Sequence, residues 1–172
     1  MTAANFPAEL ADELVFEGGF SDNPEDPGGA TEAGITLATY SAFEGQQMTI
    51  AQLQAMDDAT KAAIYRAQFW RVINGDNLPS GLDLEVFDMA VNGGPGRAAR
   101  ILQGLVGVAQ DGDIGPATLA AITASGPLPG LISAYADARR AYYQKLPTFV
   151  TFGADWLSRI GKCEAEALAL AA

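Results

Sequence analysis

Apolar residues recur at helical spacing along most of this chain, and short clusters of glycine and proline cut that pattern into pieces one helix long. Such punctuation leaves little room for a sheet, so the chain must fold as packed amphipathic helices joined by brief turns. Phe6, Leu10, Leu14 and Val15 mark a first helix that should stop at Gly18-Gly19. Pro24, Pro27, Gly28, Gly29 and Gly34 then crowd residues 18–36, which reads as loop or short hairpin, with strand signals confined to Thr31–Thr36. Thr49 is placed to cap a short helix through Gln54, and Asp57 or Asp58 to cap the next, with Ile64, Ala67, Phe69 and Trp70 facing inward. Leu82–Val91 is apolar at helical spacing and ends at Asn92-Gly93-Gly94. Pro95 opens the following helix, whose expected buried stripe is Ala98, Ile101, Leu102 and Leu105. Pro116 opens another through Ile122, and Leu131–Leu146 and Ala154–Leu170 complete the set. The expectation is a mainly α chain in one compact domain, with a small β-hairpin or loop near the N-terminus and a subdomain seam at Gly107–Asp113.

Length and composition fit that picture. At 172 residues, with 49% hydrophobic and 18% charged side chains, the chain has enough apolar material for a core and too little charge for disorder. It contains no histidine and one cysteine, Cys163. That excludes a Ser-His-Asp triad, a Cys-His dyad, an HExxH zinc site and any internal disulfide or multi-cysteine cluster. Chemistry must therefore run on carboxylates, hydroxyls, Lys/Arg or backbone groups, and the residues call for no metal or other cofactor.

Charge is lopsided. The net charge is −11, and residues 1–60 hold eleven acids with no Lys or Arg. A nucleic-acid backbone needs clustered cations, so no nucleic-acid partner is expected. The acidic third reads either as a solubilising face or as a field that makes carboxylates there harder to ionise. No basic segment precedes an apolar run near Met1, no stretch approaches the roughly 20 residues that span a bilayer, and the Ala167–Ala172 tail is short. The expectation is a chain made in the cytoplasm, without a membrane anchor, that reaches any outside target by release or co-export.

One stretch does not look like packing: Glu17-Gly18-Gly19-Phe20 through Asp26-Pro27-Gly28-Gly29 to Thr31 and Gly34-Ile35-Thr36. Glu17 falls in the last turn of the expected first helix, where the dipole disfavours a charged carboxylate, and Phe16 and Phe20 add desolvation. A glutamic acid kept protonated can donate to a glycosidic oxygen. Nine residues on, Asp26 lies in a polar glycine-rich loop, where a carboxylate stays ionised and can hold water or support an oxocarbenium-like transition state. On spacing alone the alternative stands beside this: Glu17 ends a helix and Asp26 caps a turn. Other residues carry similar pairs of readings. Tyr65, Phe69 and Trp70 form core or a sugar-stacking wall, with Phe69 assigned to core. Asn92 caps a helix or bonds an acetamido group, and Asp88 one turn earlier orients it. Asp111-Gly112-Asp113 reads as a capped turn, since an EF-hand would need Glu where Ile122 stands. Cys163 reads as a small buried hydrophobe, and Arg139-Arg140 as a solvated face or a contact for stem-peptide carboxylates.

The Glu17–Thr36 motif resembles the signature of the glycoside hydrolase 108 muramidases, lysozyme-like peptidoglycan hydrolases of phages and specialised secretion systems. Asp76-Asn77-Leu78-Pro79 and Val86–Gly96 resemble that family's central segment, and Leu102-Gln103 with Asp111–Thr118 its C-terminal peptidoglycan-binding region. The likeness runs in order over nearly the whole chain. It implies a lysozyme-like fold, with a catalytic part over about residues 1–92 and a helical, peptidoglycan-binding part over about 93–172. It implies hydrolysis of the β-1,4 bond between N-acetylmuramic acid and N-acetylglucosamine in peptidoglycan glycan strands. Glu17 carries over as the acid and Asp26 as the second carboxylate. Thr36 and Thr31 compete to assist the water, Thr36 being assigned to catalysis and Thr31, Trp70, Asp88 and Asn92 to substrate binding. Phe20 stands where the family often has tyrosine, and Glu32 where it often has asparagine. A phage particle, a holin-type pore or a secretion apparatus each fits as export partner. A lytic transglycosylase and a non-catalytic wall-binding module are the competing readings.

Overall fold

The computed structural model describes Asn5, Phe6, Leu10, residues 19–22 and residues 29–172. Glu17 and Asp26 lie outside the described residues, as do Leu14, Val15 and the expected helix stop at Gly18. The described chain is mainly helical with one short hairpin near the N-terminus. It divides into two compact units, Phe6–Gln68 on one side and Asn5 with Phe69–Ala172 on the other.

In the first unit, β1 (Thr31–Glu32) pairs antiparallel with β2 (Ile35–Thr36) in the register Thr31↔Thr36 and Glu32↔Ile35. The two residues between them, Ala33 and Gly34, both have positive φ (47° and 71°), the backbone that a tight hairpin demands. Ser21 adds an isolated antiparallel bridge to Thr31, its N–H and C=O both bonded at 2.9 and 2.8 Å. Three helices follow: α1 (Leu37–Glu44), α2 (Ile50–Gln54) and α3 (Asp58–Tyr65). Each start is capped by the residue its sequence offers. Thr36 accepts from Thr39 N, Thr49 forms a reciprocal capping box with Gln52, and Asp57 accepts from Thr60 N. Phe6, Leu10, Ile35, Leu53, Ile64 and Tyr65 are buried here, and Tyr65 Oη donates to Ala33 O at 2.8 Å, pinning the hairpin turn. A one-turn π segment, Arg66–Trp70, continues the chain.

The second unit is a helical packing around α4 (Leu82–Gly93). Every residue from Leu82 to Ala90 is buried, so this stretch of the helix has no solvent face. It packs on α5 (Pro95–Val106), α7 (Leu128–Tyr143) and α8 (Phe149–Leu170), while α6 (Pro116–Ala124) packs on α5. Helix α4, grouped with residues 1–92 from sequence, thus has its neighbours among the C-terminal helices. Gly81, at φ +87°, brings the start of α4 so close to α8 that a Cβ there would sit 2.2 Å from Ala167 O. The expected stripe on α5 is narrower than its spacing indicates: Ala98 and Leu102 are fully buried, whereas Ile101 is half-buried and Leu105 exposed, because Ala99 and Gln103 share the inner face instead.

Candidate functional site

The two threonines singled out by sequence are direct cross-strand partners, so their side chains share one face of the hairpin. Their hydroxyls are used differently. Thr36 Oγ1 accepts from Thr39 N and donates to Thr39 Oγ1, both at 3.0 Å, and so serves as the cap of α1. The Thr31 hydroxyl has no hydrogen bond to any described residue, and the residue is half-buried. Glu32 is tied to α3 by Lys61 Nζ at 3.1 Å. An open, mostly apolar pocket of ≈ 440 Å³ is lined by Gly29, Ala30, Leu37, Ala38, Ser41, Gln47 and Met48, with neither threonine in its lining. Ser41 holds its rim in place, donating to Leu37 O at 2.8 Å and accepting from Met48 N at 3.0 Å.

The remaining candidates lie in the second unit, and the structure corrects three of them. Trp70 has no exposed surface: its ring meets Phe87 edge-on at 5.5 Å and its Nε1 donates to Asp76 Oδ1 at 2.7 Å. A ring so enclosed offers no face to a sugar, and the Asp76–Pro79 segment is explained by holding it. A Cβ on Gly75 would come within 2.5 Å of that ring. Asp88 is buried too, its carboxylate taken by Arg139 Nη2 and by Arg159 Nε at 2.8 Å. It does not orient Asn92 through its side chain. Instead Asn92 Nδ2 donates to the Asp88 backbone carbonyl at 2.7 Å, closing the last turn of α4, while Asn92 itself is exposed. Arg139 is not part of a solvated face but 1% exposed, and Arg140 is engaged with Asp137 and Glu164 at 2.8 and 2.6 Å.

Sequence reasoning passed over the centre of this unit. Arg139 Nη1 donates to Glu85 Oε2 at 2.5 Å, which with the two bonds to Asp88 makes a buried cluster of Glu85, Asp88, Arg139 and Arg159. Burial pushes the Glu85 carboxyl above its ordinary value, and the attraction of Arg139 only partly offsets that. Among the described residues Glu85 Oε1 and Arg139 Nε have no hydrogen-bond partner. The signal was present in the sequence: Asp83, Glu85 and Asp88 interrupt a helix otherwise apolar on every side, and acids there need buried partners. Cys163, expected to be buried, is so, 3.5 Å from Arg139 Nη1.

The Asp111-Gly112-Asp113 stretch is a turn, as read from sequence, and Gln103 organises it. Gln103 Nε2 donates to Asp111 Oδ1 at 2.6 Å and to Asp113 O at 3.0 Å, and its Oε1 accepts from Gly112 N at 2.9 Å. The N–H of Asp113 and the Gln103 amide hold the Asp111 carboxyl below its usual range. Asn74, at φ 58°, reaches Ile114 O from the other side at 2.8 Å. The segment marked as a seam is therefore fastened at both ends to its own unit. Among the described residues no group of three or more acidic or cysteine side chains is placed to hold a metal ion.

The described residues combine a threonine-bearing hairpin with a helical C-terminal part, in a chain without histidine. The family model for glycosyl hydrolase 108 matches residues 11–94, and that for a predicted peptidoglycan domain matches residues 97–157. The chain belongs to the glycosyl hydrolase 108 family. It is also similar to the solved structure of SagA from Brucella abortus, with 42% identity, a TM-score of 0.85 and coverage of 98% of this chain and 96% of that one. No curated protein matches. A glycoside hydrolase acting on peptidoglycan, with a mainly α, lysozyme-like fold and a small hairpin near the N-terminus, is the reading these findings carry.

Proposed function

We propose that the chain hydrolyses the β-1,4 bond between N-acetylmuramic acid and N-acetylglucosamine, with Glu17 as proton donor and Asp26 as the second carboxylate. The family match across residues 11–94, which spans both acids, is the observation that carries this reading. Glu17 gives its proton to the bridging oxygen as the C1–O bond breaks. Asp26 supports the positive charge that develops on the sugar or positions the incoming water. A water supplies the hydroxyl that ends on C1, and its proton returns to a carboxylate. Thr31 is the better candidate to hold that water. Its cross-strand partner Thr36 is occupied in capping α1, and Thr31 has a hydroxyl with no bond to a described residue. Glu32, engaged with Lys61, is a weak substitute for Asp26.

Digestion of purified peptidoglycan tests the proposal. Glu17→Gln should abolish release of muropeptides while circular dichroism and melting stay at parent values, and Asp26→Asn should lose most of the turnover. Mass spectra of the products should show reducing ends that have gained one water. Anhydro ends would move the reaction to a lytic transglycosylase. A Glu17→Gln variant as active as the parent would end the assignment, and wall binding without any turnover by the parent would leave a binding module.

A further inference from the structure

The chain carries 21 acids against ten cations, yet Arg97 and Arg100 make no ion pair among the described residues. Both line one open groove of ≈ 430 Å³, together with Gly94, Gly96, Ile101 and Gln110. Each guanidinium is held in place by something other than a carboxylate. Arg97 lies 4.6 Å over the Tyr142 ring and donates to Gly93 O at 3.0 Å. Arg100 donates to Gly96 O at 3.3 Å and lies against Gly112, where a Cβ would meet Nη2 at 3.2 Å and where φ is +88°. Gln110 lies flat on α5 for the same reason: a Cβ at Gly104 would be 3.1 Å from its Nε2. Asp111 is the acid that Arg100 faces, but its carboxylate bonds go to Gln103 and to the N–H of Asp113.

Two exposed guanidiniums, fixed in position with donors to spare, suit a planar carboxylate, which accepts paired N–H groups and needs no ring to stack on. The groove offers no aromatic face to a sugar, because Arg97 covers Tyr142. We propose that the groove between Arg97 and Arg100 binds a carboxylate of the peptidoglycan stem peptide. The proposal rests on the peptidoglycan reading and adds which part of the polymer this unit recognises. Arg97 and Arg100 make the lining of this groove locally positive in a chain of net charge −11, so an anionic ligand is attracted here.

Calorimetric titration of the full chain with a soluble acidic stem tetrapeptide tests this, against the same peptide with its carboxylates amidated. The free-acid peptide should bind at least tenfold more tightly than the amidated one. Arg97→Gln and Arg100→Gln should each weaken binding about tenfold. Arg71→Gln, which removes the same charge from an exposed position outside the groove, should leave binding unchanged. Arg100→Gln, which leaves the Arg97–Tyr142 contact in place, keeps the test valid if Arg97→Gln perturbs folding. Equal affinity for both peptides, no binding by the parent, or parent-like affinity of Arg100→Gln overturns the proposal. Peptidoglycan cleavage measured in parallel separates the two claims. A parent that cleaves wall but ignores the tetrapeptide loses only the carboxylate site. One that binds the tetrapeptide but cleaves nothing loses only the hydrolase reading.

Discussion

Arg139 and Glu85 meet at 2.5 Å with side chains 1% and 0% exposed, joining α7 to the central helix α4. Asp88 and Arg159 complete a cluster of two cations and two anions, so the interior carries no net charge there. Removing one member leaves a charge buried without its counter-ion, which is costlier than the intact pair is stabilising. Arg139→Met should therefore lose about 3–5 kcal/mol of folding stability, read from denaturant midpoints. Glu85→Leu combined with Arg139→Met should recover a large part of that loss, since Arg159 still serves Asp88. A double variant as unstable as the single one would show that the pair stabilises in its own right.

Glu85 also sets a pH dependence with an unusual sign. Its folded-state value is raised, so between the unfolded value near 4.5 and the folded one the native chain binds more protons than the unfolded chain. The contribution of Glu85 to stability is then largest below that window and declines as pH rises through it. Glu85→Gln mimics the protonated form and lacks this decline. Parent and Glu85→Gln should be about equally stable near pH 4.5, and the parent should lose stability relative to the variant as pH climbs from there, as followed by melting at a series of pH values. A parent that gains stability over Glu85→Gln as pH rises would mean Glu85 titrates low.

Asp111 behaves the opposite way. Its carboxyl is held low by the Asp113 N–H and Gln103, so it stabilises the fold above its unfolded value of 3.8, and that stability is lost as pH falls through the lowered folded value. Gln103→Leu removes one of the holding bonds and should bring the Asp111 titration, followed by carboxyl NMR, upward toward 3.8. It should also loosen residues 111–113, visible as faster amide exchange at Gly112 and Asp113.

Gly81 is irreplaceable for two independent reasons, a φ of +87° and the Ala167 carbonyl 2.2 Å from any Cβ. The obstruction is backbone, which cannot rotate away. Gly81→Ala should cost about 1–3 kcal/mol from overpacking, with a further penalty from the left-handed backbone. Gly130→Ala, inside α7 with open space at the Cβ position, should melt at or above the parent temperature.

Thr36 separates a capping role from a catalytic one. Thr36→Ala should lose about 1 kcal/mol through the cap of α1, and Thr36→Ser should restore it. Thr31→Ala should leave stability nearly unchanged and lower turnover on peptidoglycan. Turnover that follows Thr36 rather than Thr31 at constant stability would exchange their roles.

Helix limits were largely legible in the sequence because caps and breakers are local. Thr49, Asp57, Pro95 and Pro116 each stand where the chain enters a helix, and Gly94 and Gly107 where it leaves one. The hairpin at Thr31–Thr36 was legible for the same reason. What each helix buries was less so. Leu105 fits the apolar spacing of α5 yet is exposed, and Gln103 lies inside, because the loop at residues 111–113 covers that flank.

The sequence by itself determined the helical class, the hairpin, the exclusion of histidine and disulfide chemistry, and the motif that points to Glu17 and Asp26. Those follow from residue type and spacing over a few turns. Only the tertiary structure decided that Trp70 and Asp88 belong to the interior, that Arg139 balances Glu85, that Thr36 is spent on a helix cap, and that Arg97 and Arg100 line one groove with no ion pair among the described residues. The reason is physical: the partner of a buried charge comes from a helix far along the chain, as with Asp88 and Arg139 at a separation of 51, and no local pattern specifies which distant helix arrives beside which.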